Sequence, residues 1–285
     1  MAKYIGTYSS SGDVQTALDN LELSRPFIAY TTDNDKVYYG PAAEKAEVGD
    51  IVVYSVSDDL LHYIKQADYN TTSYPSASYV PVGVVAYPEA DSIFGPTGEI
   101  TFMGMNWLSN TSPDSGQPTE QSIAWGHGSF NIPELTNYSD SGTAITDMNG
   151  KANTEIVLNY ATAQTDWRTA SAITWANAAG EYPLFECAWR YHTSGTSQGD
   201  WYVPACGQLY YLSANLDELA KLNAGFTAIG AGLFEFQRKD RGTSTESSLT
   251  MIWGMQNWDP SGWVPKPKTA SSPTRPYSSK LMTRI

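Results

Sequence analysis

The chain has 285 residues, enough for one large domain or two to three small ones, with an apolar share that can fill real cores. Only 16% of the residues are charged while Tyr and Trp number 19 and 9, so Ser, Thr, Asn and aromatic edges must cover much of the surface, as in extracellular β-rich and binding proteins. A net charge of −13 argues against nucleic acid as a partner, because a polyanion is held by a basic patch that releases counterions.

The opening MAKYIGTYSSSGD has no apolar signal core, and no run of about 18 apolar residues follows anywhere, so neither a cleaved export signal nor membrane insertion is expected. Ser10-Ser11-Gly12-Asp13 ahead of VQTALDNLEL predicts an N-capped short helix with Val14, Ala17, Leu18 and Leu21 on one stripe. FIAYTTDNDKVYYG predicts a hairpin about an Asp-Asn-Asp turn. A hairpin this small is not stable alone, so residues 1–40 are expected to fold against a neighbour or a symmetry mate.

Between residues 41 and 105, VGDIVVYSV, LLHYIKQ, YVPVGVVAYP and GEITFMGM are strand-length runs separated by turn residues, which predicts a small β-barrel or sandwich. SNTSPDSGQPTEQ and NIPELTNYSDSGT make 106–148 read as linker or long loops, with a boundary near Asn106. Residues 149–285 begin with helical patterns, one from about Asn153 and one in TDWRTASAITWANAA. A third carries Leu209, Leu212, Leu216, Leu219 and Leu222, with Gly225 as its stop. After Ala231 the segments are short, rich in Trp, Ser and Pro, and without helical period. The fold class expected is α+β, with no tandem repeat.

The chemistry is sparse. The histidines are His62, His127 and His192, and GHGS at 126–129 lacks the elbow that would make it part of a nucleophilic site, so it reads as a turn and no catalytic residue is assigned. Cys187 and Cys206 sit in no CxxC motif; they form either one bridge or, as the favoured reading, two buried free thiols. Asp33, Asp35, Asp58 and Asp59 fall in turns, where Asp serves the backbone. Past Asp259 stand Lys266, Lys268, Arg275, Lys280 and Arg284 without an acid; they meet an acidic glycan or DNA, or, as the favoured reading, pair with the acidic remainder or are simply solvated.

WYVPACGQLYYL followed by a helix, then GTSTESS, IWGMQNW and RPYSSKLMTRI, resembles the C-type-lectin-like domains of gut-bacterial and phage proteins, a fold shared with formylglycine-generating enzymes and retroelement-variable proteins. Three departures stand out: Gln208 replaces the usual Glu, Thr243-Ser244 reduces a Trp-Ser-Ser, and Leu281-Met282-Thr283-Arg284 replaces a final Val-Arg. The enzymes of this fold use paired cysteines, but Cys206 lies inside the scaffold block, so no redox role is expected. Calcium-binding lectins use an ordered set of acids and amides, and Gln256-Asn257-Trp258-Asp259-Pro260 has the oxygens in another order, so no metal or other cofactor is expected.

Residues 1–30, with VGDIVVYS and YVPVGVV, are similar to the start of virion fibre proteins of phages of gut Bacteroidetes, crAss-like phages among them. The resemblance implies a non-enzymatic head or tail fibre at the virion surface, made in the host cytoplasm and released by lysis. It implies a homotrimer, with residues 1–40 meeting other virion proteins and the lectin-like domain binding a host glycan or protein. A purely structural capsid decoration protein and a lectin-fold enzyme are the alternatives. Aromatic rings give contact area at low entropic cost, so the ligand is assigned to Trp258, Trp263 and Tyr277 with Gln256, Asn257 and Ser278, while Trp253 is read as core.

Overall fold

A computed structural model describes residues 3–8, 27–31, 36–39, 46–87, 99–126, 131–162, 182–236, 240–255 and 262–285. Their contacts fall into two units, 1–45 with 283–285, and 46–282. In the first unit β1 (Lys3–Tyr8) runs parallel to β2 (Phe27–Thr31), which pairs antiparallel with β3 (Lys36–Tyr39). β2 and β3 are the hairpin read from the sequence. Parallel pairing of β1 needs a crossover of a dozen or more residues, and the helix expected after Ser10 lies in that crossover, outside the described residues.

In the second unit the four strand runs become β4 (Ile51–Ser55), β5 (Leu60–Ile64), β6 (Tyr79–Tyr87) and β7 (Ile100–Gly104). They do not close into a barrel or sandwich of their own. Near the C-terminus, β13 (Tyr277–Lys280) pairs antiparallel with β7, Tyr277 opposite Met103 and Lys280 opposite Ile100, giving the order β13-β7-β6-β4-β5. The boundary near Asn106 therefore falls inside one unit. Residues 106–148 are core rather than linker: Trp107, Leu108, Ile123, Trp125, Ile132 and Leu135 are buried, and β8 (Ser122–Ala124) pairs with β12 (Ser271–Pro273). Pro, Ser and Gly in this stretch mark the turns between buried aromatics, and composition alone reads such turns as solvent-exposed. A third sheet, in the order β11-β10-β9, holds β9 (Arg241–Ser248), β10 (Met251–Met255) and β11 (Trp263–Pro267).

The helices are α1 (Ser141–Ala144), α2 (Gly150–Thr162), α3 (Pro183–Arg190), α4 (Cys206–Ala214) and α5 (Leu216–Ala228). The helix expected over 165–179 lies outside the described residues. The leucine-striped helix is two helices that break at Asn215, so the stripe is not one face: Leu209, Leu212 and Leu222 are buried but Leu216 is 68% exposed. Gly225 is no stop. The helix ends three residues later, and Gly230, at φ +70, lets the N–H of Ala231 reach the carbonyl of Phe226.

Gly225 instead lets α5 approach the sheet. Ile51, Val84 and Met103 lie in register across three strands, and Val84 touches the helix at Gly225. A Cβ there would stand 2.4 Å from the Gly49 carbonyl oxygen and 2.6 Å from Val84 Cγ1. Ala inside a helix is ordinarily worth about 1 kcal/mol over Gly, but a clash with backbone outweighs that gain. Gly225→Ala is expected to destabilise the protein by about 1–3 kcal/mol, read as a lower urea midpoint; an unchanged or higher midpoint would show that α5 can move off the sheet.

Candidate functional site

Two of the aromatics assigned to the ligand, Trp263 and Tyr277, are buried. Trp263 is 4% exposed and sits 6.5 Å, centroid to centroid, from the Tyr210 ring. Tyr277 is fully buried against Tyr87 and Tyr202, and its N–H and carbonyl pair with those of Tyr202 at 3.0 and 2.9 Å. Ser278, also fully buried, donates to the Asp200 carbonyl at 2.9 Å. Trp263, Tyr277 and Ser278 are therefore core residues. Gln256, Asn257 and Trp258 lie outside the described residues. Trp253 is buried, with its indole N–H donating to the Tyr138 carbonyl at 2.7 Å. Strand alternation near a sheet edge does not tell an inward indole from an outward one when both faces are covered.

The Trp-Tyr-Pro block is a buried junction. Trp201, Tyr202, Val203, Ala205, Cys206 and Gln208 are all at most 3% exposed. The Gln208 side chain accepts the Ala205 N–H at 2.9 Å, the reach-back that Glu or Gln makes at this helix position. The Thr245 hydroxyl accepts the Cys206 N–H at 2.8 Å and donates to Asp147 Oδ2 at 2.7 Å, and the Ser244 N–H donates to the Pro204 carbonyl. Cys187 and Cys206 are free and buried, and burial raises both thiols, which holds them in the unreactive protonated form.

Of the late bases, Lys266 meets Asp240 at 2.6 Å, Lys268 meets Glu246, and Lys280 meets Asp200 at 2.5 Å. Arg275 is 1% exposed, its guanidinium 4.7 Å from the Trp107 centroid and 4.0 Å from that of Phe226. The three lysines pair with acids of the remainder of the chain, while Arg275 is held by aromatic rings and the carbonyls of Gly104 and Gly232. His62 is buried on Asp58, and His192 Nδ1 lies 3.0 Å from the Arg190 carbonyl oxygen. His127 lies outside the described residues. Among the described residues no three His, Cys, Asp or Glu side chains could hold a metal ion together.

Among the described residues, three half-buried tyrosines stand together in the loop from β5 to β6, ADYNTTSYPSASY. Tyr69, Tyr74 and Tyr79 are half-buried and form a ladder. The first two rings stack at 6.2 Å and 11°, and Tyr79 meets Tyr74 edge-on at 5.4 Å. Tight turns hold the rings without regular structure: Tyr69 N–H to the Lys65 carbonyl, Tyr74 N–H to that of Asn70, Ser73 N–H to Asn70 Oδ1, and Tyr79 N–H to the Pro75 carbonyl. Between the rings, Asn70, Thr71, Thr72, Ser73, Ser76 and Ser78 are exposed.

The β4–β5 turn adjoins this ladder, since the Val56 N–H donates to the Ser78 carbonyl at 2.9 Å and Ser55 pairs with Tyr79. Val56 and Leu60 there are each 52% exposed. The turn is braced by Tyr54 Oη donating to Asp59 Oδ1 at 2.7 Å and by His62 Nε2 against Asp58 Oδ2 at 2.8 Å, with Asp59 at φ +62. Desolvation pushes the Asp58 carboxyl up, but bonds from Ser55, His62 and the Leu60 N–H outweigh it and leave it below 3.8. Acids rim the patch: Asp58, Asp59 and Asp68. The ladder was not read from the sequence, although a Tyr at every fifth position in a Ser/Thr/Asn-rich run is a visible signal.

Trp263→Ala is expected to cost about 3–5 kcal/mol of stability, as for other buried indoles, while Tyr74→Ala costs about 1 kcal/mol or less; chemical denaturation of both variants checks the assignment of core and surface. Asp58, lowered in the folded state, stabilises the turn fully above pH 3.8, and that contribution is lost as pH falls through its folded value. The Leu60 amide, which donates to Asp58 Oδ1 at 3.3 Å, should therefore shift its resonance as pH falls below 3.8.

No protein-family model and no curated protein matches the chain. Among solved structures it is similar to a fimbrial protein from Bacteroides ovatus, with a TM-score of 0.51 and 15% identity over 88% of this chain. The chain spans about half of that protein, 52% of its length. The likeness is one of fold, and it agrees with the α+β class of helices and antiparallel sheets seen here. None of the helices among the described residues is long and apolar enough to cross a membrane.

Proposed function

We propose that this chain is a non-enzymatic fibre subunit, displayed on a phage virion, that binds a neutral glycan on the bacterial surface through the Tyr69–Tyr74–Tyr79 ladder. The observation that carries the reading is the ladder itself: three linked phenol rings at the surface, interleaved with hydroxyl and amide side chains. Tyr offers a flat apolar face with a polar tip and few rotamers to freeze, which suits the C–H face of a pyranose ring. Neighbouring Asn, Ser, Thr and Asp oxygens suit its hydroxyls. The acidic rim and the net charge of −13 disfavour an acidic polysaccharide and leave a neutral one as the fitting partner.

The fibre reading rests on the resemblance of the N-terminal segment to phage fibre proteins and of the second half to C-type-lectin-like domains, and the fold shared with a fimbrial protein supports an appendage subunit. In this reading residues 1–40 engage other virion proteins, and the chain is a homotrimer that leaves the host cytoplasm by lysis.

Binding of the purified chain to host cells and to an array of neutral and acidic glycans tests the reading. Tyr74→Ala should weaken binding about tenfold, the equivalent of about 1.4 kcal/mol, while leaving the thermal midpoint within a few degrees. Unchanged affinity would remove the ladder from the site. Absence of any binding by the natural chain would favour a capsid decoration protein that only builds structure.

A further inference from the structure

Glu246 on β9 and Lys268, the residue that follows β11, are the deepest ion pair in the described protein: both side chains are 0% exposed. Lys268 Nζ donates to Glu246 Oε1 and lies 4.9 Å from the Trp125 ring centroid. Both backbones are pinned. The Lys268 N–H donates to the Thr250 carbonyl at 3.0 Å and its own carbonyl accepts from Gly126 at 3.1 Å, while the Glu246 carbonyl accepts from Tyr138 at 3.1 Å.

As an ion pair the arrangement is poorly satisfied. Two charges removed from water are compensated only when their remaining acceptors and donors are also paired, yet Glu246 Oε2 is buried without a hydrogen bond of normal geometry, the Ile132 N–H being near enough to lower the carboxyl but not to complete one. Desolvation pushes the Glu246 carboxyl up and the Lys268 ammonium down, each toward its neutral form. Burial raises the nearby Tyr182 phenol, which keeps its proton and adds no negative charge to the site. An amine and a carboxyl held in contact in a dry interior, where burial favours the proton transfer that leaves both neutral, have the reactants of an amide in place, at an effective concentration that reaches on the order of 10⁵ M or more for well-oriented groups. Excluding water also withholds the reactant of the reverse hydrolysis.

We propose that Lys268 and Glu246 condense to an intramolecular amide that ties β9 covalently to the end of β11. The Nζ lone pair attacks Glu246 Cδ, the C–N bond forms, and the bond from Cδ to the acid hydroxyl breaks. One amine proton leaves with that hydroxyl as water. No oxidant, reductant or activated co-reactant is needed. With Oε2 as the departing hydroxyl, the product replaces two desolvated ionisable groups with one neutral amide and removes the unmet demand at that atom. The cross-link is independent of ligand binding at the tyrosine ladder, so either assignment can fail without the other.

The test is the intact mass of the purified full-length chain in denaturant, allowing for removal of Met1. The expected mass is lower than that of the sequence by one water, and proteolysis should return the segments containing Glu246 and Lys268 as one branched peptide. The Lys268→Met chain should show the full sequence mass. A natural chain at full sequence mass, with the two segments recovered as separate linear peptides, is an ion pair only and overturns the proposal. So does a water deficit that persists in Lys268→Met. The branched peptide is read on the natural chain, so a variant that fails to fold leaves the answer intact.

Discussion

Two guanidiniums on one indole hold the second unit together. Arg241 and Arg275, each 1% exposed, lie 4.8 and 4.7 Å from the Trp107 centroid, and Phe234 and Phe226 line them at 5.1 and 4.0 Å. Two like charges this close repel, and burial lowers both groups from their ordinary value. The ring quadrupoles oppose that cost, and so do oxygen acceptors: Glu120 at 2.9 Å and the Glu235 carbonyl for Arg241, the carbonyls of Gly104 and Gly232 for Arg275. The acceptors come from three stretches of chain: Gly104, Glu120, and the segment of Gly232 and Glu235. The cluster can form only when the segment after β7, the segment after α5 and the C-terminal strands are all in place.

That requirement explains why Arg275 is turned inward and why the contacts do not divide near Asn106. Cations that an isolated segment would show to solvent are consumed as internal partners, and β13 on β7 closes the sheet that the N-terminal half leaves open. The Asp147–Thr245–Cys206 contacts repeat the pattern, with a buried carboxylate and a hydroxyl joining a loop, a helix start and a strand. Buried polar contacts of this kind demand one arrangement more strongly than apolar packing does, since any slip leaves a donor or acceptor unmet.

A frame stitched this way frees its loops. The tyrosine ladder is carried on the β5–β6 loop, whose backbone is satisfied by its own turns, so its side chains can vary or bind without disturbing the core. The β4–β5 turn beside it is braced by its own carboxylates. The residues proposed for recognition are therefore not those that hold the core. Trp263, Tyr277 and Ser278 have the chemistry of a binding site and the burial of a core.

The sequence by itself determined the strands: the Val, Ile and Tyr runs that became β4 to β7, the hairpin of β2 and β3, the helix that became α2, the burial of Trp253 and of both thiols. These depend on local propensity and on apolar character, which a short window contains. It did not determine that Leu216 faces solvent, that Gly225 is a contact and not a stop, that Trp107 begins a core segment, or that Trp263 points inward while Tyr74 stays at the surface. Those were decided by partners far away in the chain, Gly49 for Gly225 and Arg241 and Arg275 for Trp107, and an aromatic ring carries no mark of which side its partner will come from.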